Sequence, residues 1–200
     1  GMVTGMWVVI ITAVLLVAAL ISYYSSEDIS DTLPMTVCGL ILLLYVLAFG
    51  RLLYAIDLIS IAVLAVFAIL IMKKKRPLLP ALGRILLQPY LIISILLLVG
   101  ITFFVREQIF TWWDDINFWS TDAKALYYLN GFPGKYGNVS PEFGDYPPVT
   151  SLFKWLFLHF SPKHYVQGLQ FAGYYCLNIV LLMPLLRMLR KRNIPVQAAG

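Results

Sequence analysis

Residues 85–105 read ILLQPYLIISILLLVGITFFV, an apolar run without a charged side chain. At 1.5 Å per helical residue, the run is about long enough to cross the ~30 Å hydrocarbon core of a bilayer. Further apolar runs occupy 6–24, 33–49, 52–72 and 166–188. None of them alternates apolar and polar residues as a barrel strand does, so the sequence predicts about five membrane-spanning α-helices in an all-α, multi-pass protein.

The composition agrees with a membrane protein. Hydrophobic residues make up 60% of the chain and charged residues only 12%, which lies far from a soluble domain. The bilayer is therefore one expected partner. Cys38 and Cys176 both fall inside predicted spans, where we expect free, buried thiols.

Basic residues indicate the topology. Nine of the fifteen lie in two clusters beside predicted span ends, Lys73-Lys74-Lys75-Arg76 with Arg84 and Arg187 with Arg190-Lys191-Arg192. The positive-inside rule puts both clusters in the cytoplasm, so the residues between 105 and 166 are expected on the external face. Basic clusters also suit nucleic acid, but these adjoin helix ends, so no nucleic-acid partner is expected.

The external loop opens with the sequence WWDDINFW at 112–119. Helical spacing of Trp119, Ala123 and Leu126 predicts a surface helix over 114–130, ended by Gly131-Phe132-Pro133-Gly134. A second apolar stripe follows Pro147-Pro148 and predicts another interfacial helix over 149–160, with Phe153, Leu156, Phe157 and Phe160 on one face.

The polar residues of this region each have a structural and a chemical interpretation. Asp114 and Asp115 open a helix, where one carboxylate is commonly a cap, but two adjacent carboxylates cannot both cap. Trp113 and Trp119 suit a membrane-interface belt or sugar stacking. Lys163 and His164 could hold a phosphate or simply be solvated. Asp57, inside its span, is a functional candidate by position and more simply a structural residue near Arg51.

The order of these parts resembles the GT-C superfamily, the membrane glycosyltransferases that use polyprenyl-phosphate-linked sugars. The resemblance covers about 85–192: a span leaving the cytoplasm, the acid pair opening a surface helix, Tyr146-Pro147-Pro148 opening a second helix, and a span returning to a basic end. More narrowly, Trp113-Asp114-Asp115 with Trp119 and Lys124, followed by Asp145-Tyr146-Pro147-Pro148, looks like bacterial members of that superfamily. This chain departs from them with Asp115 for Glu, Phe118 where His is frequent, and Val149 for Gly.

The resemblance implies site residues and roles. Asp114 would be the catalytic base, and Asp115 would orient the acceptor or help hold a divalent cation, Mg²⁺ or Mn²⁺, in a metal-using variant. The remaining candidates of the substrate loop are Trp113, Trp119, Lys124, Asp145 and Tyr146, and the phosphate candidates are Lys163 and His164. The donor would be a polyprenyl-phosphate-linked sugar and the acceptor an envelope polymer or glycolipid.

Two segments follow from the resemblance. Residues 1–84 would supply three N-terminal spans, and 85–200 would begin the catalytic module of a longer, bacterial cell-membrane enzyme.

A polysaccharide polymerase or ligase is the alternative enzyme, although such sites tend to rely on Arg-rich loops and this loop is acidic. A transporter or non-catalytic assembly subunit is the alternative from another class. It would place polar or broken helices near the bilayer midplane.

Overall fold

The structure is a computed structural model that describes residues 5–74, 77–134, 139, 144 and 146–189. Within these residues the protein is all-helical and contains no strand. Its α-helices are α1 Met6–Ser25, α2 Ile29–Phe49, α3 Ile56–Lys74, α4 Leu78–Leu86, α5 Pro89–Val105, α6 Ser120–Leu129, α7 Val149–His159 and α8 Leu169–Leu189. A 3₁₀ turn, Leu53–Ala55, precedes α3, and a π-helical turn, Asp115–Trp119, precedes α6.

The described helices include three that are long and apolar enough to cross a membrane, Met6–Ser25, Ile29–Phe49 and Leu53–Lys73. A fourth candidate is the pair α4 and α5, which is bent by 60°. Pro89 occupies the first turn of α5, and the preceding Gln88 is extended, as residues before proline usually are. The predicted run 85–105 is thus broken at Gln88. The apolar part of α8, Leu169–Leu185, is shorter, so the predicted count of five spans is not confirmed.

One end of the helix bundle carries the described members of the two predicted basic clusters. The Arg187 guanidinium at the end of α8 pairs with Asp31 at the start of α2. Arg84 lines a polar pocket with Ser26, Glu27 and Asp28 in the turn between α1 and α2. The described members of the two basic clusters therefore share one end of the molecule, whereas the acid pair follows the opposite end of α5.

Both cysteines are free, as the sequence predicts, but the predicted burial of Cys38 is wrong. Cys38 lies on the outer surface of α2, since the faces of that helix that meet α1 and α8 carry other residues, Leu33, Val37, Ile41 and Leu44 among them. The Cys176 side chain is partly buried in the groove between α5, α7 and α8.

Helix α7 lies in the centre of the fold, packed against α2, α6 and α8. Every residue from Ser151 to His159 is buried, including Lys154. Gly173 lets α8 approach closely, because a Cβ there would come within 3.2 Å of both the Lys154 Cα and the Phe157 ring. The apolar stripe predicts one buried face, and burial on all sides brings polar residues of α7 into the core as well.

Candidate functional site

The acid pair begins the helical part of the loop. Asp114 is exposed and Asp115 is partly exposed, beside the exposed indoles of Trp112 and Trp113. The Asp114 side chain makes no capping hydrogen bond, so capping does not account for it. The predicted helix 114–130 is present as the π-helical turn followed by α6. Single π-helical turns are rare and frequently found at functional sites.

Two parts of the loop motif meet through an aromatic stack. The Trp119 and Tyr146 rings are nearly parallel, with centroids 5.3 Å apart and an interplanar angle of 5°. The contact joins the helix that follows the acid pair to the start of the Tyr146-Pro147-Pro148 motif. Trp113 instead packs edge-on against Phe118 at 5.4 Å. Asp145 lies outside the described residues.

A buried charge cluster lies beneath this surface. Lys154 on α7 is only 6% exposed, with its Nζ 5.5 Å from the centre of the Phe110 ring and 5.9 Å from that of Tyr174. Asp122 on α6 is buried and accepts a hydrogen bond from the backbone N–H of Val139 at 2.9 Å. No ion pair within 4.0 Å joins Lys154 to a carboxylate in the described part of the chain.

The charges of this cluster influence one another. Burial lowers the pKa of the Lys154 ammonium, and the carboxylates of Asp115 and Asp122 oppose that shift. Burial raises the pKa of the Asp122 carboxyl group, while the Val139 N–H and the charge of Lys154 act to lower it. The sequence singles out Asp115 in this cluster and misses both Asp122 and Lys154, because their spacing on α6 and α7 is that of ordinary surface residues.

The other candidates occupy the flank of the site. Lys124 is exposed and its Nζ lies 5.3 Å from the centre of the Tyr165 ring. The Tyr165 hydroxyl accepts a hydrogen bond from Gln170 Nε2 at 2.8 Å, and the same amide nitrogen contacts the Ser120 hydroxyl at 3.2 Å. Lys163 and His164 are exposed in the segment between α7 and α8.

A second buried pair lies outside the predicted site. His159 Nε2 and Asp57 Oδ1 are 2.7 Å apart, with side chains only 4% and 17% exposed. The Trp155 ring stacks on the His159 imidazole at 4.7 Å. Arg51, the predicted neighbour of Asp57, instead donates to the carbonyl oxygens of Phe132 and Pro133. The sequence indicated one member of this pair, because Asp57 is an acid inside an apolar run. The spacing of apolar residues around His159 did not indicate the other.

Metal ligands are scarce around the acid pair. Among the residues that the structure describes, no three His, Cys, Asp or Glu side chains are grouped so that they could hold a metal ion. The exposed Asp114 and the partly exposed Asp115 present carboxylate oxygens, which accept hydrogen bonds.

Comparison with known proteins assigns the chain to no family. No protein-family model matches the chain, and no curated protein or solved structure matches it either. The class that the described helices support is an all-helical protein whose apolar helices are compatible with a bilayer.

Proposed function

We propose that this chain forms the acidic catalytic loop of a multi-pass membrane glycosyltransferase, which transfers a sugar from a polyprenyl-phosphate donor to an envelope polymer or glycolipid acceptor. The loop faces outward from a bacterial cell membrane, and the described basic residues Arg84 and Arg187 face the cytoplasm. The full proposal includes the span 166–188 and a surface position for the helix that follows Asp114.

The observation on which the proposal depends most is the stack of Trp119 on Tyr146 at 5.3 Å. It joins the two sequence motifs of the resemblance, which are separated along the chain, into one surface next to the acid pair. Flat aromatic rings beside carboxylates are suited to bind a sugar, because the rings offer apolar faces and the carboxylates accept hydroxyl hydrogen bonds.

In the proposed reaction Asp114 is the general base. The acceptor hydroxyl oxygen attacks the anomeric carbon of the sugar while the bond from that carbon to the phosphate oxygen breaks, with inversion of configuration. The acceptor proton passes to the Asp114 carboxylate, and polyprenyl phosphate leaves with the electron pair of the broken bond. Asp115 orients the acceptor by accepting a hydrogen bond from a second hydroxyl.

The test is Asp114→Asn in the full-length protein, assayed with polyprenyl-phosphate sugar. Removal of a general base lowers turnover by about 10² or more, while donor binding and thermal stability stay near wild type. Glu107→Gln is the matched control, because Glu107 is an exposed acid on the same segment, paired with Arg106 at 3.6 Å. An Asp114→Asn enzyme with wild-type turnover would refute the assignment and favour the assembly-subunit alternative.

A further inference from the structure

A polar pocket of about 380 Å³ lies at the end of the bundle that carries Arg84. The end of α1 and the turn that follows it form one wall, and α4 with Gln88 forms the other. Both α1 and α2 are long and apolar enough to cross a membrane, and only the three residues 26–28 separate them. With α1 and α2 spanning the bilayer, this turn lies at the membrane surface, and the pocket lies there with it.

Helix α4 borders the pocket with apolar side chains. It is bent 60° from α5, so it runs obliquely along the membrane surface when α5 crosses the bilayer. Leu79 on α4 and Leu87 at its end are both exposed. The exposed Tyr23 ring lines the opposite wall, and tyrosine is enriched at the membrane–water interface. These surroundings suit a lipid whose headgroup enters the pocket while its acyl chains stay in the bilayer.

Two opposite charges line the pocket without meeting. Arg84 on α4 and Glu27 in the turn are both exposed lining residues. No carboxylate of the described residues lies within 4.0 Å of the Arg84 guanidinium, and no described cation lies that close to the Glu27 carboxylate. An anion alone would be repelled by Glu27 and a cation alone by Arg84. A ligand that carries both charges can pair with each wall.

Hydrogen bonds fix the turn that carries Glu27. The Ser22 hydroxyl of α1 donates to the Glu27 carbonyl oxygen at 2.6 Å. The Asp28 carboxylate accepts from the Ser30 N–H at 2.9 Å and from the Tyr90 hydroxyl of α5. Asp28 thus has a structural role that joins the turn to α2 and α5. Because the backbone beside Glu27 is already ordered, a ligand loses less affinity to the ordering of this wall.

We propose that this pocket binds the phosphoethanolamine headgroup of a membrane lipid, with the phosphate on Arg84 and the primary ammonium on Glu27. The guanidinium presents a fork of N–H donors that matches phosphate oxygens, and the ammonium donates hydrogen bonds to the carboxylate. A phosphocholine headgroup has the same two charges but no N–H to donate. The pocket lies at the opposite end of α5 from the acid pair and requires no sugar, so the inference is independent of the proposed transferase reaction.

The experiment measures binding of short-chain phosphatidylethanolamine to the protein in a nonionic detergent. The comparison ligands are phosphatidylcholine and phosphatidylglycerol with the same acyl chains, and free phosphoethanolamine. We expect phosphatidylethanolamine to bind at least about fivefold more tightly than each comparison ligand, because the others lack the ammonium hydrogen bonds, the positive charge or the acyl chains. Free phosphoethanolamine binding as tightly as the lipid would assign the pocket to a soluble ligand and overturn the lipid assignment.

Two substitutions separate the roles of the two charges. Glu27→Gln should reduce the affinity for phosphatidylethanolamine by about fivefold and remove its advantage over phosphatidylcholine. Arg84→Gln should weaken both lipids alike, because both carry the phosphate. Glu107→Gln and Lys73→Gln are the matched controls, since they remove an exposed acid and an exposed cation that do not line the pocket. Equal affinity of the wild type for the two lipids would overturn the proposal, as would a preference that survives in Glu27→Gln.

The pocket itself is tested by filling it. Ala81 lines the pocket from α4, so Ala81→Trp should abolish binding of phosphatidylethanolamine. Leu79→Trp, at an exposed position of α4 outside the pocket, should leave binding unchanged. If Ala81→Trp fails to fold in a thermal melt, the smaller Ala81→Leu replaces it. Undiminished binding in a folded variant with the pocket filled would contradict the proposed position of the headgroup.

Discussion

The buried Asp57 and His159 pair should dominate the stability of the connection between α3 and α7. We consider His159→Ala, which leaves the Asp57 carboxylate without its partner. Breaking a buried, hydrogen-bonded pair from one side costs about 3–5 kcal/mol. The 17% exposure of Asp57 lets water reach it and moves this cost toward the lower limit. Loss of the Trp155 stack adds about 0.5–1.5 kcal/mol, so we expect about 4 kcal/mol in all.

The assay is reversible unfolding in mixed micelles, with Asp57→Ala and the double variant completing a mutant cycle. If the pair acts as described, the double variant loses much less than the sum of the two single losses, because the second substitution removes the carboxylate that the first left unpaired. Additive losses would refute the reasoning, since they would mean that the two side chains contribute independently. His164→Ala, in the exposed segment before α8, serves as the control and should change stability by less than about 0.5 kcal/mol.

Two further predictions concern close packing and buried charge. Gly131→Ala should destabilise the protein by about 1–3 kcal/mol in the same unfolding assay, because its Cβ would come within 2.5 Å of the Ala48 carbonyl oxygen and the Arg51 Cα. Gly134→Ala, whose Cβ would meet no atom of the described residues within 4 Å, should be close to neutral, and equal losses would contradict the steric argument. Lys154→Met should change how stability depends on pH. The Lys154 pKa is lowered by folding, so the unfolded chain binds more protons, and wild-type stability rises with pH from the lowered pKa up to about 10.5. The variant should lack that alkaline rise when melting is followed across this range, and a parallel rise in both proteins would exclude Lys154 as its source.

The sequence predicts the long helices well, because their apolar runs are continuous and nearly every residue in them is hydrophobic. It predicts the position of α7 within a residue, but not that α7 is buried on all sides. The apolar stripe of Phe153, Leu156 and Phe157 accounts for one face. The burial of Lys154 and His159 depends on α3, α6 and α8, and such contacts between distant parts of a chain leave no periodic pattern.

For the candidate site, residues that are neighbours in the sequence could be grouped in advance, but contacts between residues far apart in the sequence could not be predicted. The aromatic and acidic residues at 112–119 mark the loop that the sequence predicts as the site, and Trp119 contacts Tyr146 within it. Pro89 is a sequence signal for a helix break at Gln88. The 60° angle between α4 and α5 is not encoded there, because α4 packs against α1 and α3. Asp122 was overlooked because a single polar residue on a short helix is indistinguishable from a solvated one until its burial is known.

The distance along the chain between Asp57 and His159 has a consequence for synthesis of the protein. The two residues are 102 positions apart, so at ribosomal rates of 5–20 residues per second His159 is made about 5–20 s after Asp57. During that interval the carboxylate at the start of α3 has no imidazole partner. Synthesis of the first three helices is therefore complete before the acid at the start of α3 can meet this imidazole. Helix α3 packs mainly against α1, which is made before it, whereas its hydrogen bond to α7 forms only after His159 is made, so the order of assembly follows from where these two residues stand in the chain.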